Sequence, residues 1–230
     1  KVVRSPHAHA RIKRIDTSKA EALPGVKAVV TSKDLVQFPV DKPVALGIQD
    51  MRWISRFMMA REKALFAGHP VAAVAATSQS IAKEAVKLIE VEYEVLPFVI
   101  DVEDAMKPDA PILLDHVRFD GKPSNVTGKL EHKLGDPEKG FAEADVIVEK
   151  SFKTKAVHQG YIEPQACLVN VGKDGKATIW SSSQGHFVVR AMTAMLTGAN
   201  QSDIRAYPAE IGGGFGGKTI IYLEPMAYVL

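Results

Sequence analysis

The segment from 70 to 96 constrains the fold of this chain more than any other, because three elements follow one another in it without a gap. Residues 71 to 76 are a short apolar run typical of a buried strand, and Thr77 or Ser78 can cap a helix. Apolar residues then recur at helical spacing, and residues 91 to 95 alternate between apolar and polar as a strand does. This strand–helix–strand pattern has the length of a crossover unit and indicates a fold that mixes helices and sheets.

The same periodicities assign elements to the rest of the chain. Asp174-Gly175 lies between two alternating runs and predicts a hairpin, because this dipeptide suits turns that need positive φ. Residues 37 to 60 hold prolines and glycine and are predicted to be irregular. Further strands are predicted at 9–15, 26–31, 146–157, 166–171, 177–182 and 204–211. Further helices are predicted at 18–22, 136–144, 186–196 and from Thr219 onward.

Composition excludes several classes of protein. The 29 basic and 27 acidic residues leave a net charge of +2 and form no basic block, which argues against a nucleic-acid partner. The longest apolar runs are too short to span a bilayer, and no signal-peptide pattern is present, so we expect no membrane partner. The single cysteine, Cys167, rules out an internal disulfide and suits a reducing compartment, so we expect a cytoplasmic protein.

The richest local pattern is the stretch Gly212–Lys218, hereafter the glycine loop, in which five of seven residues are glycine. Glycine permits positive φ and lets another group approach the main chain closely. Successive free N–H groups can then point at an oxo group or a phosphate, and a helix after Thr219 would add its positive end. The glycine loop therefore predicts a ligand-binding turn, with a ligand-free tight turn as the alternative.

Two nucleotide-binding sequence patterns match the residues of this stretch. Gly212-x-Gly214-x-x-Gly217 fits the dinucleotide fingerprint, and Gly212-x-x-x-x-Gly217-Lys218-Thr219 fits the P-loop. Both need a buried apolar strand before the loop, whereas residues 205 to 210 are polar and contain a proline. Both also need a strand–helix–strand unit afterwards. The P-loop is therefore kept only as an alternative.

Several motifs, taken in order, resemble one family. The pair that carries the resemblance is Ser181–Gly185 (SSSQG) followed about thirty residues later by the glycine loop. Supporting motifs occur upstream in the family's order: SPHAHA at 5–10, LPGV at 23–26, GHPVA at 68–72, VEYEVLP at 91–97 and HQGYIEPQ at 158–165. Together they resemble the molybdopterin-binding subunit of the molybdenum hydroxylases, of xanthine dehydrogenase and aldehyde oxidase type.

The resemblance implies an α+β fold in two parts. An α/β hammerhead domain is expected at 1–110 and a linker at 111–128. The first part of a mixed α/β molybdopterin-binding domain is then expected at 129–230. The expected cofactor is molybdopterin, and its plain and cytosine dinucleotide forms both stay open.

The resemblance also assigns roles to individual residues. Gln184 would hydrogen-bond an oxo ligand of molybdenum without binding the metal, because an amide donates without adding charge. Gly185 would border the pterin. Main-chain groups of the stretch Gly214, Phe215 and Gly216 would contact the oxo ligand, and the Phe215 ring would shape the substrate pocket. No residue of the chain is expected to bind the metal directly.

Other reactive residues are interpreted as structural. The family keeps residues similar to His158, Tyr161 and Glu163 near the site, but we favour a structural role for all three. The His-x-His pair at residues 7 to 9 is interpreted as a non-ligand, because no further ligands converge on it in sequence. Cys167 lies in an apolar strand and is interpreted as inert.

The resemblance implies hydroxylation of an aldehyde or an N-heterocycle with water as the oxygen source. Electrons would leave through iron–sulfur centres to FAD on partner subunits or domains. The family's general base, a glutamate, is expected beyond Leu230, so the chain would form one wall of the site and be inactive alone, with the remainder of the molybdenum subunit as a partner. Thr219 stands where purine-oxidising relatives carry glutamate, which argues against a xanthine-type substrate. A non-catalytic assembly module of the same fold is the further alternative.

Overall fold

The structure is a computed structural model that describes residues 1–47, 49–115 and 117–230. Its strands are β1 Val2–Arg4, β2 Ala10–Asp16, β3 Val26–Thr31, β4 Ala45–Leu46, β5 Gln49–Asp50, β6 Lys63–Ala64, β7 Pro70–Ala76, β8 Glu90–Val95, β9 Arg118–Phe119, β10 Lys122–Pro123, β11 Cys167–Val171, β12 Ala177–Ser181 and β13 Ile204–Pro208. Its α-helices are α1 Ser18–Glu21, α2 Met51–Met58, α3 Gln79–Leu88, α4 Val102–Ala105, α5 Pro137–Ala142, α6 His186–Thr197 and α7 Glu224–Val229. Two 3-10 turns lie at Ser32–Asp34 and Gln201–Asp203. The mixture of helices and sheets confirms the predicted α+β class.

Two three-stranded antiparallel sheets lie in the amino-terminal half, in the strand orders β1-β7-β3 and β6-β2-β8. The predicted elements β7, α3 and β8 are all present, and the Ser78 hydroxyl caps α3 by accepting the N–H of Ile81 at 3.2 Å. The crossover interpretation is wrong, however, because β7 and β8 lie in different sheets. Fully buried Ala72 and Ala85 pack α3 against β7 within one core. The helix therefore links two sheets.

The third sheet belongs to the carboxyl-terminal half and has the order β11-β12-β13. β11 and β12 form the predicted antiparallel hairpin, and Gly175 adopts a φ of 79° in its turn. β12 and β13 are parallel and are joined through α6, so the right place for a crossover is residues 177 to 208. α6 ends as predicted at Gly198, whose left-handed φ of 75° closes the helix.

One hydrophobic core joins the two halves. Buried Val30 and Met51 from the amino-terminal half pack in the same cluster as Ile179 and Leu196. A main-chain hydrogen bond of 2.7 Å from the N–H of Val36 to the carbonyl of Leu196 reinforces this contact. The site in the carboxyl-terminal half is thus supported by both halves, while the domain boundaries at 110 and 128 stay predictions.

Helix α2 was not predicted, since residues 37 to 60 were expected to be irregular. The Asp50 carboxylate caps it by accepting the N–H of Arg52 at 2.9 Å. Its buried face consists of Met51, Ile54, Ser55 and Met58, which have helical spacing. The cap and this spacing were visible in the sequence, but the prolines and glycine just before them obscured the pattern.

Buried His69 ties the end of α2 to the start of β7. Its Nδ1 accepts the N–H of Leu65 at 3.0 Å, and its Nε2 lies 2.8 Å from the carbonyl of Arg56. Burial lowers the pKa of His69 to about 4, so the ring is neutral near pH 7 and Nε2 is the donor. His69 therefore acts as a neutral structural bridge.

Two predictions in the carboxyl-terminal half are wrong. Residues 146 to 157 alternate like a strand, yet they form no strand and are exposed throughout. The helix expected from Thr219 begins only at Glu224, because Pro225 suits the first turn of a helix and not its interior. Within the described residues, no helix has both the length and the apolar character needed to cross a membrane.

Candidate functional site

The glycine loop follows β13 and has an irregular main chain with three positive φ angles. Gly213 and Gly216 have φ values of 93° and 91°, and Phe215 has a φ of 49°, which is uncommon for a residue other than glycine. The N–H of Gly217 donates to the carbonyl of Gly214 at 2.7 Å and closes a tight turn. This turn exposes Phe215, which is 74% accessible as a residue.

Gln184 holds the glycine loop from the end of β12. Its side-chain Oε1 accepts the main-chain N–H groups of Gly216 at 3.0 Å and Lys218 at 3.2 Å. Its own N–H donates to the carbonyl of Lys218 at 2.9 Å. The Nε2 group makes no hydrogen bond to any residue that the structure describes. The carbonyl half of the amide is therefore structural, and the donor half is free for a ligand.

Close packing explains two of the glycines. A Cβ on Gly214 would lie 2.5 Å from Oε1 of Gln184, and a Cβ on Gly217 would lie 2.6 Å from Cε1 of Tyr161. Both distances are shorter than real contacts, so any side chain at these positions would displace its neighbour. The spacing of glycines thus reflects the approach of the loop to Gln184 and Tyr161.

Glu163 and Lys218 fasten the two ends of the glycine loop. Glu163 Oε2 accepts the Gly212 N–H at 2.8 Å and an N–H of the Lys218 ammonium at 2.6 Å. Lys218 is only 1% exposed, and its ammonium lies 4.8 Å from the centre of the Tyr161 ring. The hydrogen bond from Lys218, followed by that from Gly212, holds the pKa of Glu163 below its ordinary value. This geometry supports the structural interpretation of Glu163 and Tyr161.

The orientation of Lys218 bears directly on the P-loop alternative. In a P-loop the lysine reaches the phosphates and a helix starts directly after it. Here the ammonium points inward to Glu163, and the next helix starts at Glu224. The Thr219 hydroxyl donates to the carbonyl of Gly216 at 2.9 Å. Nothing in this geometry supports phosphate binding by Lys218 and Thr219.

Gly185 stands at the start of α6, next to Gln184. Its N–H donates to the Ser183 hydroxyl at 3.1 Å, and a Cβ on it would lie 3.4 Å from Val188. α6 has no side-chain cap, so its first N–H groups form a positive helix end beside Gln184. The structure thus brings Gln184, Gly214 and Gly216 into contact and places Gly185 at the adjoining helix start.

Glu224, which is not among the predicted site residues, is a buried carboxylate that anchors the chain beyond the glycine loop. Its Oε1 accepts the Ser181 hydroxyl at 2.5 Å, and its Oε2 accepts the N–H groups of Tyr222 and Leu223 at 3.0 and 3.1 Å. Burial and the Glu224 carboxylate raise the pKa of Cys167 to about 12, so the thiol stays protonated, consistent with an inert cysteine. A lone acidic residue in the apolar stretch 220–230 was the signal that could have revealed this anchor.

The three histidines singled out in the sequence each contact another residue of the chain. His158 Nδ1 accepts the N–H of Gly160 at 3.0 Å, and His9 Nδ1 lies 2.7 Å from the carbonyl of Pro97. His7 packs edge-on against Tyr93 with ring centres 5.0 Å apart. Within the described part of the chain, histidine, cysteine, aspartate and glutamate nowhere form a group of three that could hold a metal.

Comparison with known proteins identifies both halves. Residues 1–97 match the family model described as aldehyde oxidase and xanthine dehydrogenase, a/b hammerhead domain, and residues 118–230 match the molybdopterin cofactor-binding domain. The carbon monoxide dehydrogenase large chain of Afipia carboxidovorans is 38% identical over 96% of this chain and 28% of its own length. A probable hypoxanthine oxidase of Escherichia coli is 35% identical over 97% of this chain and 26% of its own length.

A solved structure agrees with these matches. The aldehyde oxidoreductase of Desulfovibrio gigas superimposes with a TM-score of 0.79 at 30% identity, over 100% of this chain and 25% of that one. The chain thus spans between a quarter and a third of the length of these relatives. The ordered motifs, the glycine loop held by Gln184 and the two family matches agree: the chain belongs to the molybdenum hydroxylase family, with a hammerhead domain followed by molybdopterin-binding sequence.

Proposed function

We propose that this chain forms one wall of a molybdenum–pterin site in a hydroxylase that oxidises an aldehyde or an N-heterocycle, with water as the oxygen source. The proposal rests on Gln184, because the oxygen and the nitrogen of its side-chain amide have different roles. Its Oε1 is fixed by two N–H groups of the glycine loop, and its Nε2 is left as a positioned donor. A fixed, uncharged donor is what an oxo ligand requires.

The surroundings of Gln184 fit a bulky anionic cofactor. The main-chain N–H of Phe215 has no hydrogen-bond partner among the described residues, so it can donate to the same ligand. A Cβ on Gly216 would meet no atom within 4 Å, which leaves open space above the loop. The positive end of α6 at Gly185 would favour a negative group there. Gln184, Gly185, Gly214, Phe215 and Gly216 together are the proposed cofactor-binding set.

The molybdenum cofactor would supply the two-electron redox chemistry of hydroxylation when bound. The chain would contribute the Gln184 donor, the Phe215 amide and the exposed Phe215 ring, which is free to contact substrate. Two carboxylates near the loop are already used, because Glu163 is paired with Lys218 and Glu224 accepts three hydrogen bonds. From the family resemblance we assign the general base to a part of the enzyme outside this chain.

Partners and location follow from the proposed chemistry. The remainder of the molybdenum subunit would complete the site, and iron–sulfur and FAD subunits or domains would carry electrons away. The term "large chain" in the name of the carbon monoxide dehydrogenase relative supports a multisubunit assembly. The cytosine dinucleotide form of molybdopterin is proposed as one of two candidate forms. A single protonated cysteine suits a cytoplasmic location.

The substrate is proposed only by class. The relatives are named for carbon monoxide, hypoxanthine and aldehyde, so relationship alone does not choose among substrates. Thr219 is exposed, and its hydroxyl is turned back to the Gly216 carbonyl at 2.9 Å. Thr219 therefore provides no carboxylate that could hydrogen-bond a purine. This supports an aldehyde or a simpler heterocycle as the substrate class.

Two substitutions of Gln184 in the complete enzyme test the proposal. Gln184→Glu keeps an oxygen for the N–H groups of Gly216 and Lys218 but removes the donor. We expect it to retain molybdenum and pterin while kcat falls about 100-fold, the usual effect of removing one such donor. Gln184→Ala also releases the loop, so we expect it to lose metal content as well.

The matched control is Gln201→Glu, which makes the same change in a 3-10 turn where only the Gln201 main chain is used for hydrogen bonds. It should leave metal content and kcat unchanged. Wild-type activity and molybdenum content in both Gln184 variants would contradict the proposal and favour the assembly module. Binding of Mg-ATP that is lost in Lys218→Ala would favour the P-loop instead.

A further inference from the structure

Residues 146 to 157, hereafter the exposed segment, have the alternating sequence of a half-buried strand but are exposed to solvent. Val148 is 73% exposed and Phe152 is 90% exposed. No main-chain group of the segment hydrogen-bonds to a residue within 1–47, 49–115 or 117–230. Among the residues that the structure describes, its side chains make one ion pair, between the Lys153 ammonium and the Asp101 carboxylate at 3.0 Å. The segment therefore presents a full row of unpaired donors and acceptors beside bare apolar side chains.

The side chains of the exposed segment are arranged on two faces. If the segment is extended, alternate residues share a face. One face then carries Val146, Val148, Phe152 and Ala156, interrupted by Lys150 and Thr154. The other carries Glu149, Ser151, Lys153 and Lys155 between Ile147 and Val157. An apolar face backed by a polar face is the pattern of a strand that buries one side in a sheet.

The exposed segment is anchored on its carboxyl side. The carbonyl of Ala166 accepts the Ser182 N–H at 3.2 Å beside β12. Between the segment and Ala166 lies the stretch 158–165, which includes Glu163 of the candidate site. Helix α5, which precedes the segment, has no buried residue. Whatever orders the segment is therefore linked through 158–165 to the approach to Glu163.

We propose that the exposed segment is a β-strand that pairs with a sheet edge in the part of the molybdenum subunit that this chain does not span. This partner rests on the proposed function. The relatives extend well beyond the match, which covers only 28% of the carbon monoxide dehydrogenase chain, so a large body of polypeptide is available to pair with it. Pairing satisfies the row of main-chain groups and buries the face of Val148 and Phe152.

Charge argues against a second copy of this chain as the occupant. The exposed segment holds three lysines and one glutamate, a net charge of +2. Two copies paired edge to edge would set like charges opposite each other, which is unfavourable. The edge that receives the segment should instead carry carboxylates near Lys153 and Lys155.

Hydrogen exchange in the complete enzyme and in this chain alone tests the proposal. In this chain alone, the peptide amides of 146–157 should exchange as fast as those of an unstructured peptide. In the complete enzyme, where the remainder is joined or bound, they should exchange at least about 100-fold more slowly. Equal fast exchange in both forms overturns the proposal. Protection in this chain alone that grows with concentration also overturns it, in favour of a second copy.

A matched pair of substitutions tests whether only the apolar face of the exposed segment is buried on pairing. Phe152→Asp places a charge on the apolar face, and Ser151→Asp places the same charge one residue earlier on the polar face. In the complete enzyme, Phe152→Asp should reduce the protection of 146–157 by about 100-fold, and Ser151→Asp by less than about 3-fold. Equal losses in the two variants would contradict a one-sided strand. Both variants of this chain alone should unfold at the wild-type temperature, because the segment is exposed there.

Molybdenum content, measured on the same samples, separates this proposal from the proposed function. A protected segment in an enzyme without molybdenum leaves the strand pairing intact and contradicts the proposed function. An unprotected segment in an enzyme with molybdenum contradicts the strand pairing and leaves the proposed function intact.

Discussion

The glycine loop and the exposed segment both lack helix and strand, yet they are irregular for opposite reasons. The glycine loop is held by polar contacts that include three from Gln184 and two from Glu163, and its lysine is buried. The exposed segment has one surface ion pair and apolar side chains in solvent. An irregular main chain can therefore have its polar groups paired within the chain or leave them unpaired, and its hydrogen bonds distinguish the two cases.

The largest effect of a change at the glycine loop is expected from Glu163→Ala. It leaves the buried ammonium of Lys218 without its carboxylate, which lowers the unfolding free energy. Urea unfolding of the chain measures the change. Lys218→Met should be milder, since Glu163 is partly solvated, and adding it to Glu163→Ala should recover part of the loss. A wild-type midpoint for Glu163→Ala would show that the loop is not held by this pair.

A somewhat smaller loss is expected from Gly214→Ala. The added Cβ would meet Oε1 of Gln184 at 2.5 Å and force that side chain away from the loop. We expect about 1–2 kcal/mol of destabilisation from this overpacking. Gly140→Ala is the control, because a Cβ there meets nothing within 4 Å and the residue lies in α5. Equal effects of the two substitutions would mean that the approach of Gly214 to Gln184 is not needed.

The contact at Glu163 also predicts a dependence on pH. Because the folded state lowers the pKa of this carboxyl below the ordinary 4.5, the unfolded chain binds its proton more readily. The resulting stabilisation is complete above 4.5 and is lost as the pH falls through the lowered pKa. Unfolding free energies of wild type and Glu163→Gln should therefore converge on acidification, as urea unfolding at a series of pH values would show. A difference that is constant with pH would contradict an ionised contact.

The smallest effect is expected in the exposed segment. Val148→Ser should change the unfolding free energy of this chain by less than about 0.5 kcal/mol, because the side chain is already in solvent. Val189→Ser in α6, where the side chain is 1% exposed, should by contrast cost about 3 kcal/mol. Thermal unfolding of both variants measures the contrast. A large loss in Val148→Ser would show that the segment is packed within the chain.

Elements with a local cause were predictable. Strand β3 occupies the predicted residues 26 to 31, and the Asp174-Gly175 hairpin and α6 with its stop at Gly198 are also present. Each depends on residues within a few positions of one another, such as a turn glycine or an amphipathic repeat. Helix α2 shows the limit, because neighbouring prolines and glycine hid a local cap and helical spacing.

The main residues of the candidate site were predictable from the sequence, but the long-range contacts that join them were not. The motif around Gln184 and the glycine loop pointed to the same site, and the structure joins them through the Oε1 atom. The inward turn of Lys218 to Glu163, 55 residues away, had no marker in the sequence. Glu224 was marked as a lone acidic residue in an apolar stretch, but its partner Ser181, 43 residues away, had no marker in the sequence.

The sequence by itself determined the local elements and the membership of the molybdenum hydroxylase family. Only the tertiary structure decided that β7 and β8 join different sheets, that Lys218 is buried against Glu163 and that residues 146 to 157 are exposed throughout. The physical reason is the range of the interactions. Helical spacing, caps and turns act within a few residues, whereas strand pairing and ion pairs depend on which distant groups arrive at the same place.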